Sequence, residues 1–565
     1  MSKLSISAAL LLALWLWGAV SAVAQDGESR QRAVDALFSD LTADGPGVAV
    51  GIYHEGRVVY AHGYGNAVPG RSLPVTAHSV FHTASVSKQF TAFAIALLVR
   101  DGKVKLDEDI RTYLPEMPAF DAPITVNDLI HHVSGLKEQS IMFWLARRSR
   151  DDSLKQQQAL TLIARQRELM FEPGTRFTYT NSGYTLLAAI VQAASGQTLR
   201  QFTQAHMFAP LNMNQTLFRD DASEIIPDLA EGFVTRGKGW GRSTLGTELV
   251  GATGLYTSID DMMKWMANFD QPRVGDAALI EQVSTPGKLH DGKPINYGFG
   301  LVRQDFGGRP AIMHDGSDFT YRSLFVYLPK QRFGLVLLGN SQRNLSDSAR
   351  KIVDIYLGAA PGPRSVVDGG APVIQSTPQQ RQALVGRYLN PYMWAADIVE
   401  KNGKLQWLST GWGNSEVQLR AGDVFSRKLG TEQRYFKIDR DARGAVIGFR
   451  LAGGFGEAVS DRYERIPTYS PERADLERLI GDYRTDEVDI TYTFSVQEGQ
   501  LTARSIWSTK PIRFSAVTAD RYDSDDVPMG SIEFMRDTTG KPTGFRIVGG
   551  GMRGTKFERV TPCVR

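Results

Sequence analysis

The chain has 565 residues, with 64 Lys+Arg against 61 Asp+Glu, and this net charge of +3 advertises neither a nucleic-acid binder nor an acidic tail. With 42% hydrophobic and 22% charged residues it reads as globular, which excludes disorder, collagen and coiled coil, and its length allows roughly three or four domains. The single cysteine, Cys563, excludes an intrachain disulfide framework, cysteine zinc fingers and iron–sulfur clusters.

Residues 1–24 read as an export signal. Lys3 gives a positive start, Ala8 to Val20 is an apolar or small run of 13, and Ala22-Val23-Ala24 is a cleavage site before Gln25. Thirteen residues are too few to span a hydrocarbon core of roughly 30 Å, and no later run is long enough, so the mature chain is expected to lack a membrane span and to be secreted or periplasmic. Val48 to Tyr60 reads as a hairpin around His54-Glu55-Gly56.

Three S-x-x-K tetrads occur: Ser85–Lys88, Ser134–Lys137 and Ser348–Lys351. Only the first opens a strong amphipathic helix, with Phe90, Phe93, Ala94, Leu97 and Leu98 on one face and Gly102 at its end. Ser85 and Lys88 then share a face at the helix N-terminus, where backbone N–H groups favour developing negative charge and an ammonium against apolar core can lose its proton. Ser134 is followed by the helix breaker Gly135, and Ser348 leads a short helix with Arg350-Lys351 on its surface. His131-His132, as helical neighbours, would point to different faces and do not suggest a shared metal.

A second element, Tyr179-Thr180-Asn181, lies after Pro173-Gly174 and leads into a helix with Leu186, Leu187, Ile190 and Val191 on one face. A tyrosine beside a cation can shuttle a proton, and a carboxamide can hold a substrate amide. The third, His314-Asp315-Gly316-Ser317, enters the strand-forming run Tyr321 to Leu328, where Gly316 would let a substrate backbone approach. His290-Asp291-Gly292 competes, but Lys293-Pro294 makes it a turn. No G-x-S-x-G, H-E-x-x-H or G-x-G-x-x-G motif occurs, and neither metal nor cofactor is expected.

A helix over 345–357 closes the first domain, spanning 25–360, and Pro361, Gly362, Pro363, Gly369, Gly370, Pro372 and Pro378 mark a linker over 361–379. Such a linker implies few contacts across it, so the first domain is expected to fold without the remainder of the chain. Beyond it the chain repeats: Leu384-Val385-Gly386-Arg387-Tyr388 recurs as Leu479-Ile480-Gly481-Asp482-Tyr483 at an offset of 95, and Gly448-Phe449-Arg450-Leu451 as Gly544-Phe545-Arg546-Ile547 at 96. Two copies of one all-β unit, 380–466 and 467–565, are expected, each a small closed barrel because it must hide its edges without a disulfide. Gly453 to Gly456 and Gly549 to Gly551 read as matching turns.

In order and spacing, these motifs resemble the penicillin-recognising serine hydrolases: class C β-lactamases, serine DD-peptidases, D-aminopeptidases and related esterases. The resemblance runs from about Gly47 to about Asn340 and includes His131 to Leu136, Phe171-Glu172-Pro173-Gly174-Thr175 and Gly254 to Ser258. It implies an α/β (α+β) catalytic domain, an antiparallel sheet flanked by helices plus an all-helical region. The trailing units are similar in layout to the tandem lipocalin-like barrels of the D-aminopeptidase branch. The resemblance further implies Ser85 as the nucleophile forming an acyl-enzyme, Lys88 as its proton acceptor and Tyr179 as proton relay. Asn181 would orient the substrate, and the N–H groups of Ser85 and Ser317 would form an oxyanion hole.

His314 stands where β-lactamases carry lysine, which argues against strong β-lactam hydrolysis, since an unperturbed imidazole is mostly neutral at pH 7. Its titration is expected to govern the binding of carboxylate-bearing substrates. An exported peptidase or amidase acting on short peptides containing D-amino acids is the expected function. The alternatives are a β-lactamase or esterase of the same family, or a non-catalytic penicillin- or peptide-binding protein.

Overall fold

A computed structural model describes residues 27–146, 154–237, 239–243, 248–359, 371–411, 413–429, 432–452 and 462–560. The export signal, Cys563 and Gly453 to Gly456 lie outside these. The first domain is built on a six-stranded antiparallel sheet in the order Val302–Asp305, Pro310–Ser317, Arg322–Leu328, Phe333–Gly339, Val48–His54, Arg57–Tyr64. Its two halves come from opposite ends of the domain, joined in register from Val48 opposite Gly339 to His54 opposite Phe333. Helix Ile259–Asp270 lies close on this sheet because two positions lack a side chain. A Cβ on Gly51 would meet Ile259 at 2.7 Å, and one on Gly334 would meet Met266 at 2.3 Å.

Helix Lys88–Arg100 is buried almost all round, packing against Asn181–Ser195 and under Trp265, whose indole N–H donates to Gln89 at 2.8 Å. That is why its apolar pattern is broader than one stripe. The last helix of the domain runs Ser346–Leu357.

Both repeats are closed eight-stranded antiparallel barrels. In each, the first strand pairs with the last: Gly386–Leu389 with Arg462–Ile466, and Gly481–Thr485 with Lys556–Val560. The repeated tyrosines hold the same place, Tyr388 donating to the Leu384 carbonyl at 2.8 Å and Tyr483 to that of Leu479 at 3.0 Å. Closure satisfies every strand edge, which a unit of this size without cross-links requires.

The expectation of few contacts across the linker is corrected by the structure. Met142, Phe143, Leu145, Leu162 and Leu249 of the first domain share one apolar core with Tyr492, Met529 and Met552 of the second barrel. Within this interface Lys137, fully buried, donates to both oxygens of Glu487 at 2.8 and 2.7 Å. The Glu138 N–H donates to the Gly551 carbonyl at 2.7 Å, and Arg176 donates to the Tyr392 hydroxyl of the first barrel at 2.8 Å. Linker composition reports only on the connecting peptide, whereas the contact is made by surfaces hundreds of residues apart.

Candidate active site

Ser85 sits in a 3-10 turn, Ala84–Ser87, that leads directly into the helix beginning at Lys88. Ala84 has a left-handed backbone, φ 46°, so the turn before the serine is strained and must be held from outside. Ser87 does this locally, donating to the Ala84 carbonyl at 2.6 Å and accepting from the Leu255 N–H at 3.1 Å. Gly316 completes the clamp. A Cβ there would lie 2.2 Å from the Thr83 carbonyl and 2.1 Å from the Ser323 hydroxyl, so the missing side chain admits the chain's own serine turn.

Lys88 is fully buried, and its ammonium meets three acceptors: the Asn181 side-chain oxygen at 2.8 Å, the Ala252 carbonyl at 2.9 Å and the Ser85 hydroxyl at 3.2 Å. Burial pushes its pKa down to about 7, against the partial support of Glu138 and Asp315. Two N–H groups can therefore stay on Asn181 and Ala252 while the third position, towards Ser85, is left as a lone pair.

Glu138, which sequence reasoning passed over, orients Asn181. Its carboxylate accepts from the Asn181 backbone N–H at 2.6 Å, the Asn181 side-chain amide at 3.2 Å and the Thr180 hydroxyl at 3.1 Å. With the amide nitrogen held by Glu138, the amide oxygen faces Lys88. Only the proximity of Glu138 to Ser134–Lys137 in sequence could have drawn attention to it.

Tyr179 lies beside Lys88, with Nζ 4.7 Å from the ring centroid, and packs on His132 with ring centroids 4.2 Å apart and the planes tilted by 34°. Burial raises its pKa well above the ordinary value, so the phenol keeps its proton; its hydroxyl is beside Ser85 and has no hydrogen bond of full geometry among the described residues. His131 and His132 are not helical neighbours as expected, since the helix Val126–Ile130 ends before them and His132 has φ 58°; they nevertheless diverge, His131 to the Tyr297 carbonyl at 3.0 Å and His132 to the Thr180 N–H at 3.3 Å.

His314 is not an unperturbed imidazole. It is 4% exposed, and burial, with Lys88 nearby, pushes its pKa down to about 4 against the pull of Asp315. Nδ1 is 2.6 Å from the Asp315 carbonyl and must donate to it, leaving Nε2 to accept from the Tyr297 hydroxyl at 3.0 Å. The ring is thus neutral, and its expected titration near neutrality is corrected. Nitrogen NMR of the imidazole is expected to show one unchanged neutral tautomer from about pH 8 down to about pH 5. A midpoint above about pH 6 would contradict this assignment.

Ser85, Asn181 and Ser317 line one cleft of about 610 Å³, walled by Trp144, Tyr256 and Phe319. One wall carries a relay not anticipated from sequence. Thr253 and His82 Nε2 are 2.8 Å apart, and His82 Nδ1 and Asp318 2.7 Å apart. Burial would raise the Asp318 pKa, but His82 and the N–H groups of Thr320 and Tyr321 hold it below the usual carboxylate range.

The other two tetrads are differently employed. Lys137 is engaged with Glu487, and Ser348–Lys351 lies on Ser346–Leu357, outside the cleft. His290 and Asp291 form a turn, closed by the Gly292 N–H on the Leu289 carbonyl at 2.9 Å.

A family model described as Beta-lactamase matches residues 34–360. A D-aminopeptidase of Gluconobacter oxydans (strain 621H) is 27% identical over 466 residues, 81% of this chain and 83% of its own length. One from Brucella canis is 28% identical over 536 residues, 91% of this chain and 96% of its own. Among solved structures, the octameric penicillin-binding protein homologue from Pyrococcus abyssi aligns with a TM-score of 0.53 at 21% identity, covering 79% of this chain and 99% of that one. SurE with D-Leu aligns at 0.51 and 21% identity, covering 78% and 100%. These structural likenesses speak for the fold. With its sheet, its S-x-x-K turn and the match across the whole first domain, this chain belongs to the beta-lactamase family and is a serine hydrolase.

Proposed function

We propose that the chain is an exported D-aminopeptidase or closely related amidase, releasing D-residues from short peptides or amides through an acyl-enzyme. The observation that carries the mechanism is the fully buried Lys88, poised to lose a proton at about pH 7 with its nitrogen 3.2 Å from Ser85 Oγ. Neutral Lys88 takes the hydroxyl proton as Ser85 Oγ bonds to the substrate carbonyl carbon. The resulting oxyanion is held by the N–H groups of Ser85 and Ser317. Tyr179 gives its proton to the departing amine and recovers one from Lys88, the C–N bond breaks, and an ester on Ser85 remains. Water then attacks that ester, its proton passing to the Tyr179 oxygen as the phenol hands its own proton to neutral Lys88, and Ser85 leaves with the proton that Lys88 returns.

Asn181, turned by Glu138, positions Lys88 and the substrate amide. The choice of D-peptides rests on relatives of that name matched through both barrels, and on a neutral His314, which offers no cation to a β-lactam carboxylate. Export rests on Lys3, the apolar run Ala8 to Val20 and Ala22-Val23-Ala24.

The test is a panel of D- and L-alanyl anilides, a penicillin and a neutral acetate ester, each run against Ser85→Ala. Preference for the D-anilide is expected; preference for the L-anilide or the penicillin would refute the substrate class. With the D-anilide, kcat/KM should rise about tenfold per pH unit on the acid side and level off above about 7, because only neutral Lys88 accepts the proton. A flat profile through that range would remove Lys88 as the base.

A further inference from the structure

The relay in the cleft wall has one arrangement of protons that satisfies every donor. The Gly254 N–H can only donate, and it points at His82 Nε2 from 3.3 Å, so Nε2 carries the lone pair and Nδ1 the proton. Nδ1 then donates to Asp318 at 2.7 Å. With Nε2 unprotonated, the 2.8 Å contact to Thr253 is made by the threonine's own hydroxyl proton. The Thr253 oxygen thereby keeps its lone pairs, and its hydroxyl offers the cleft no donor.

The charge behind this oxygen is negative. Asp318 is ionised, and the side chain's hydrogen-bond partners, the neutral His82 ring and the N–H groups of Thr320 and Tyr321 at 2.7 and 2.6 Å, are dipoles that bring no positive charge. The other carboxylate lining the cleft, Glu231, is paired with Arg242 at 2.9 Å, and Arg219 is turned to the carbonyls of Asp221 and Glu224 at 3.1 and 3.0 Å. Linked hydrogen bonds polarise one another, so the Asp318 charge makes Thr253 a stronger acceptor.

Thr253 is partly exposed on this wall. Ala252, the residue before it, accepts from Lys88 through its carbonyl at 2.9 Å, so the acceptor stands one residue from the base that activates Ser85. In a peptide with a free amino terminus a single carbon separates the α-ammonium from the first carbonyl carbon. An ammonium in that place has donors and no acceptor, the complement of an oxygen that only accepts and is backed by a buried carboxylate.

We propose that Thr253 receives the α-ammonium of the substrate's first residue, with His82 and Asp318 as positioning residues that orient and polarise its hydroxyl. The assignment rests on the acyl-enzyme reading of the Ser85 cleft and deepens it: the substrates are those with an unblocked amino terminus next to the scissile bond.

The test compares, in the full chain, D-alanyl anilide with propionyl anilide, which differs in lacking the ammonium. Because an α-ammonium also activates the carbonyl beside it, the quantity read is the ratio of the two kcat/KM values in each variant against that ratio in the wild type. Thr253→Val, close in shape but without the hydroxyl, should lower the ratio by about tenfold or more, chiefly through KM, and Thr253→Ser should keep it. Asp318→Asn should lower it as well and carries the test should Thr253→Val fail to fold. A ratio within about twofold of the wild type in both Thr253→Val and Asp318→Asn, or one lost in Thr253→Ser, would overturn the proposal. So would covalent capture of Thr253 by a fluorophosphonate in Ser85→Ala, since the relay would then serve a second nucleophile. If the wild type hydrolyses D-alanyl anilide through Ser85 and the ratio does not respond, the ammonium site alone falls; if the wild type leaves D-alanyl anilide intact, the aminopeptidase reading falls with it.

Discussion

Ser85→Ala and Lys88→Met are each expected to lower turnover of the D-anilide by at least about 10³-fold, with melting temperature nearly unchanged for Ser85→Ala. Nucleophile and base act as a unit, so removing either forfeits most of what both supply. Methionine is chosen because Lys88 is fully buried, and a truncation would add a cavity to the loss of the amine. Ser134→Ala should retain activity within a few-fold, since Ser134 is buried and, among the described residues, its hydroxyl's one hydrogen bond is accepted from the Leu136 N–H at 3.4 Å. Single-turnover acylation and thermal melts decide the matter. An inactive Ser134→Ala beside an active Ser85→Ala would transfer the nucleophile to the other tetrad.

Glu487→Ala is expected to destabilise the protein by about 3–5 kcal/mol, because it strands the Lys137 ammonium in the interface between catalytic domain and second barrel. It also removes the acceptor of the Arg167 N–H at 3.1 Å. The double variant Lys137→Met with Glu487→Met should recover most of the loss, since a buried ion pair is often replaced by apolar groups without net cost. Chemical denaturation measures both, and limited proteolysis should show the second barrel released first. A loss under about 1 kcal/mol for Glu487→Ala would mean that the interface opens enough to hydrate Lys137. Activity should fall too, because Glu138, next to Lys137, is tied to the barrel at Gly551 and orients Asn181.

Much of this molecule is legible in one dimension. The spacing of Ser85, Lys88 and the apolar residues after them is a local helical period, and local periods are written in the chain. The repeated Tyr388 and Tyr483 mark equivalent barrel strands for the same reason: each barrel must satisfy the same pairing and burial constraints within its own residues. What the tertiary structure alone decided is the state of the ionisable groups. Ser134–Lys137 has the same spacing as Ser85–Lys88, yet Lys137 faces Glu487, 350 positions away. Lys88 instead meets Asn181 and the Ala252 carbonyl and is lowered to about 7. His314 loses its charge to burial, and Thr253, His82 and Asp318 converge from three separate segments. Desolvation and hydrogen-bond partnership depend on which distant surfaces close over a group, and no spacing within a motif encodes that.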